Sequence, residues 1–101
     1  MKNINELINS NWFETILGEV GFFKENNPYP KTQYGLILFL FRNNIEIFTF
    51  KNNEGWQYTA KDITEDDMFT QDLNYYCDFD ECVNTAIVES ICYLSSKLKK
   101  I

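Results

Sequence analysis

The stretch that decides the fold is Leu36-Ile37-Leu38-Phe39-Leu40-Phe41-Arg42-Asn43-Asn44-Ile45-Glu46-Ile47-Phe48-Thr49-Phe50-Lys51. Two apolar runs rich in β-branched and aromatic residues flank an Asn-Asn pair. Asparagine tolerates the left-handed backbone that a two-residue hairpin turn demands. The stretch therefore reads as a tight antiparallel hairpin, with strands over 36–42 and 45–51. Residues whose numbers sum to 87 then stand opposite one another, Phe39 against Phe48 and Ile37 against Phe50. Both faces of this hairpin are apolar, which is not the alternation of a sheet with one wet side. Helices could cover one face each, or cover one face together and leave Phe39, Phe48 and Phe50 for a partner.

Moving outward, Asn52-Asn53-Glu54-Gly55 reads as a second turn, leading into a strand over 56–61. On the N-terminal side, Ile4, Leu7, Ile8, Trp12, Ile16 and Leu17 recur at helical spacing. They predict one amphipathic helix over 4–17, capped by Asn3 with Glu6 and stopped at Gly18. A short strand over 19–23 and a turn-rich segment, Asn26-Asn27-Pro28-Tyr29-Pro30, follow. From Phe79 onward, Val83, Ala86, Ile87, Ser90, Ile91, Leu94 and Leu98 share one helical stripe, and Lys97, Lys99 and Lys100 suit the negative end of that helix. Residues 62–78 lie between sheet and helix, with room for a short helix capped by Thr64. The expected class is α+β: an antiparallel β-meander of three to four strands, flanked by an N-terminal and a C-terminal helix. All 101 residues read as a single domain.

Composition narrows the function. Hydrophobic residues are 45% of the chain and only 2 prolines and 4 glycines occur, which excludes a disordered or fibrous protein. Histidine is absent, removing the commonest general base and the commonest metal ligand. Cys77, Cys82 and Cys92 are an odd number and lack a close C-x2-C pair, so neither a disulfide framework nor a zinc site is expected. Asp72-x-Asn74-x-Tyr76-x-Asp78 starts like a calcium loop but carries Cys77 where glycine is needed and Val83 where the closing Glu belongs. No phosphate-binding glycine motif occurs. Metal, cofactor and catalytic residues are therefore each read as none. The N-terminus has no signal-peptide pattern, and the longest apolar run, six residues, is far short of the roughly 20 that span a bilayer. A cytoplasmic protein with no membrane partner is expected.

Charge supplies the one unusual feature. The chain carries 15 acidic and 9 basic residues, a net charge of −6, which disfavours direct nucleic-acid binding. Between 62 and 81 lie eight acids and no Lys or Arg, so the other 81 residues sum to +2. Asp78, Asp80 and Glu81 are placed to cap the last helix and complement its dipole. Glu65, Asp66, Asp67, Asp72, Tyr75 and Tyr76 remain as the candidate partner-binding residues. Carboxylates steer a basic partner and rings supply contact area.

In size, acidity and lack of catalytic residues, the chain resembles the immunity proteins that neutralise toxins of bacterial competition systems. The resemblance is one of general character, with no motif that carries residues across. It implies a non-catalytic inhibitor that occludes the active site of a basic toxin domain, such as a nuclease. The competing readings are a phage-encoded nucleic-acid mimic acting on a host defence complex, an acidic chaperone or scaffold working through the apolar sheet face, and a hydrolase.

Overall fold

The computed structural model describes residues 4–65, 67–71 and 75–99. Its elements in chain order are α1 (Ile4–Ile8), α2 (Asn11–Glu19), α3 (Gln33–Arg42), β1 (Ile45–Asn52), β2 (Gly55–Asp62), β3 (Asp67–Gln71) and α4 (Phe79–Lys99). The class is α+β, with helices at both ends of the chain. The antiparallel β1–β2 hairpin forms where 45–51 and 56–61 were expected to pair.

The expected strand over 36–42 does not form, so the meander built upon it from 36–42, 45–51 and 56–61 is not the sheet found. That segment is α3. Thr32 caps it, its Oγ1 accepting the Gly35 N–H at 3.0 Å. The Asn-Asn pair is the end of this helix and not a hairpin turn. Asn43 is the C-cap, and Asn44 takes a left-handed φ of 68° while its N–H donates to the Phe41 carbonyl at 3.0 Å. Asparagine's tolerance of that backbone suits a helix stop as well as a hairpin. Phe39 accordingly enters the core instead of facing Phe48 across a ladder. The sheet has the order β1-β2-β3, its third strand coming from 67–71, where the sequence left room for a short helix.

The N-terminal helix is also two helices. Ser10 accepts the Phe13 N–H on its Oγ and donates from it to the Leu7 carbonyl, which ends α1 and starts α2. α2 runs one residue past Gly18 to Glu19, with Val20 as its C-cap and Gly21, whose φ is 84°, just beyond. Phe22 N–H returns to the Leu17 carbonyl at 3.0 Å, so the expected strand over 19–23 is a helix terminus and turn.

α4 matches its expected stripe, burying Val83, Ala86, Ile87, Ser90, Ile91 and Leu94, while Leu98 lies exposed. It packs against β2 and β1, and α1, α2 and α3 pack against it. Phe13, Leu17, Phe22, Leu36, Phe39, Leu40, Ile45, Ile87 and Ile91 form the centre of the core. Full burial of each such side chain is worth about 1.5–3 kcal/mol. Tyr58, Ala60 and Ile45 point to the helices, whereas Phe48 and Phe50 project from the other face and are exposed. The helices therefore share one face of the sheet.

Candidate functional site

The acidic segment becomes one edge of the sheet. β2 pairs with β3 in a register that sets Asp62 against Asp67 and Thr59 against Gln71, with an irregularity between Ala60 and Lys61. Farther along, Trp56 and Tyr76 exchange both backbone hydrogen bonds at 2.8 Å. Residues 67–71 and Tyr76 thus lie alongside β2. Glu65 and Tyr75 lie near opposite ends, about 20 Å apart at ~3.3 Å per residue.

At the first end, Asp62 is fully buried. Its Oδ2 accepts from Lys97 Nζ at 2.7 Å and Tyr93 Oη at 2.8 Å. Its Oδ1 accepts from the Thr64 hydroxyl at 2.6 Å and the Thr64 N–H at 3.0 Å. Burial pushes this carboxyl's pKa up, but the bonds from Lys97, Thr64 and Tyr93 outweigh it and hold the group well below the usual carboxylate range. Asp62 is a structural tie between β2 and α4. Glu65 is exposed, with Lys97 Nζ 3.9 Å away. The run that lacks a base in sequence is therefore partly neutralised in space by a lysine 32 residues downstream.

At the second end, the hairpin tip meets the start of α4. Gly55 has φ 139°, and a Cβ there would sit 2.8 Å from the Tyr76 carbonyl oxygen, so only glycine lets the tip approach. Asp78 Oδ1 accepts the Asp80 N–H at 3.1 Å, the capping role expected of it. Phe79 is exposed and stands edge-on to Trp56, 4.7 Å between centroids. Glu54, Tyr75, Asp78, Phe79, Asp80 and Glu81 are all exposed here.

The structure separates the candidate residues. Glu65 and Tyr75 are exposed, at different ends of the edge. Tyr76 is half-buried; its backbone holds Trp56 and its ring lies 6.2 Å from that of Tyr58, so it anchors more than it presents. Asp67 belongs to β3 by its backbone, and Asp66 and Asp72 lie outside the described residues. Tyr34 and Phe41 were missed altogether. Both are exposed on α3, and the signal for them was helical spacing in a stretch taken as strand.

Among the described residues, no group of three or more His, Cys, Asp or Glu is placed to hold a metal ion, and no helix is long and apolar enough to cross a membrane. Burial, with Glu89 adding to it, pushes the Cys92 thiol up, away from the thiolate a nucleophile needs. Compared with family models, curated proteins and solved structures, the chain finds no match.

Proposed function

We propose that this is a non-catalytic, cytoplasmic protein inhibitor, an immunity protein that neutralises a cognate bacterial toxin by covering a basic active site. The observation that carries the reading is the acidic segment, along which Glu65, Asp78, Asp80 and Glu81 and the rings of Tyr75 and Phe79 are all exposed. A nuclease cleft is lined by lysines and arginines that hold phosphates. Carboxylates at similar spacing can take the places of those phosphates, and the −6 charge speeds encounter. Glu65, Asp66 and Asp67 are the densest run of acids in that segment of the sequence.

The test is capture from lysate of the source cell, followed by calorimetry on what is recovered. Glu65→Lys, Asp66→Lys and Asp67→Lys combined should weaken binding at least tenfold at low salt and leave the melting temperature unchanged. Recovery of one basic toxin supports the inhibitor. Recovery of many unfolded chains, or affinity unmoved by the triple reversal, rejects it.

A further inference from the structure

α3 is apolar on more sides than the core uses. Leu36, Phe39 and Leu40 are buried. Tyr34, Ile37, Leu38 and Phe41, at positions i, i+3, i+4 and i+7, form a second stripe on which Tyr34 is 72% and Phe41 56% exposed. A surface helix ordinarily carries polar residues there.

The stripe continues into β1. A groove of about 230 Å³ is lined by Ile37 and Phe41 from the helix and by four consecutive strand residues, Ile45 to Phe48. Successive strand residues point to opposite faces, so a groove touching four in a row follows the strand's free edge. β1 is the edge strand opposite β3. Because Ile63 N–H bonds the Asn44 carbonyl, the alternation of an antiparallel ladder turns Glu46, Phe48 and Phe50 backbone groups towards β2. Ile47, Thr49 and Lys51 then direct their N–H and C=O outward, and no turn, loop or cap hydrogen bond among the described residues reaches these backbone groups. The β1–β2 register is unbroken, and Ile47 to Phe50 contains neither charge nor proline. Between Glu46 and Lys51 the usual protections of an edge strand are missing.

We infer that this edge is the interface of a homodimer. A second copy adds its β1 antiparallel to the first about a twofold axis at Thr49, giving a continuous six-stranded sheet. Phe48 then faces the partner's Phe50 on the outer face, twice over by symmetry. The two α3 stripes lie on the same side of that sheet, across the axis from one another.

The surface is complementary to itself, which is why a second copy fits it. A free strand edge meets a free strand edge, and apolar stripe meets apolar stripe. No like charges meet across the seam: Glu46 falls opposite the partner's uncharged Asn52, on the face away from Lys51. The two Glu46 residues end up about 20 Å apart at ~3.3 Å per residue. The size is sufficient. With Phe48 49% and Phe50 44% exposed, the free parts of Tyr34, Phe41, Phe48 and Phe50 come to about 900 Å² for the pair at ~200 Å² per ring. The strand edges, Ile37 and Leu38 carry this towards the ~1,200 Å² at which stable interfaces begin.

Sedimentation equilibrium of the full chain, from about 1 to 500 µM, tests the dimer. The wild type is expected at twice the 12.0 kDa chain mass. Thr49→Pro removes an outward N–H without touching the ladder to β2, and should raise the dissociation constant at least tenfold. Phe41→Lys should do the same from the helix stripe, with unchanged circular dichroism. Should Thr49→Pro fail to fold, Phe41→Lys decides alone. A wild type that stays monomeric throughout overturns the dimer and leaves the edge to a foreign strand. So does a dimer that neither variant weakens.

Discussion

A carboxylate taken out of water costs several kcal/mol unless its lone pairs are met, and Asp62 meets that demand with four donor contacts drawn from Thr64, Tyr93 and Lys97. Three of the partner atoms are side chains, two of them on α4, so the residue joins the end of β2 to the last turns of the helix. Asp62→Asn keeps the shape and removes the charge, which should cost about 2 kcal/mol at neutral pH, the value of a charge-assisted bond. The pH dependence follows from the lowered pKa. An unfolded Asp titrates near about 3.9, and the folded group titrates below that. Its contribution is complete above the unfolded value and is lost as pH falls towards the folded one. Urea unfolding should therefore show the gap between wild type and Asp62→Asn narrowing by up to about 1.4 kcal/mol per pH unit below about pH 4. An equal gap at pH 7 and pH 3 would remove Asp62 from this role. Asn44 makes a different point about single residues. Its left-handed backbone was legible in the sequence, but the same conformation ends a helix and turns a hairpin.

Elements are where reading and structure part. Leu36 to Phe41 is six apolar residues in a row, which fits a strand buried on both faces and equally a helix greasy on every side. Periodicity cannot separate the two over so short a run. The separating signals lay upstream, in Thr32 as a cap, in Gly35 three residues on, and in Pro30 just before. α4 was legible because it carries one period over its whole length, and β2 because Trp56, Tyr58 and Ala60 alternate with Gln57, Thr59 and Lys61. Gly35 is the hinge of the α3 assignment. A Cβ there would lie 1.9 Å from the Pro30 carbonyl oxygen, so the first turn of α3 and the preceding turn touch through a bare backbone. Gly35→Ala must push them apart. Although alanine favours helix by up to ~1 kcal/mol over glycine, the substitution should destabilise the protein by about 1–3 kcal/mol, as overpacking does. Chemical denaturation measures the sign: a more stable Gly35→Ala would mean that α3 does not start against Pro30.

On the scale of the whole molecule, the sheet has two edges of opposite character. The β3 edge carries the acidic segment and the β1 edge carries the aromatic groove, with β2 between them. The acidic run was legible because charge is local in sequence. Its partial neutralisation by Lys97, and the exposure of Phe48 and Phe50, depend on what packs where, and no local pattern records that. The separation has a measurable consequence. Dimerisation by apolar stripes and backbone hydrogen bonds is nearly indifferent to salt, whereas binding of a basic partner by exposed carboxylates is screened, with a Debye length falling from about 10 Å at 0.1 M to about 3 Å at 1 M. Sites this far apart with no shared partners contribute additively within about 0.5 kcal/mol. The triple reversal at Glu65, Asp66 and Asp67 should thus leave the dimer dissociation constant within about twofold of wild type, at 0.1 M and at 1 M salt alike. A shift of tenfold or more in sedimentation would show the two edges to be coupled, and would place the acidic segment in the self-association surface.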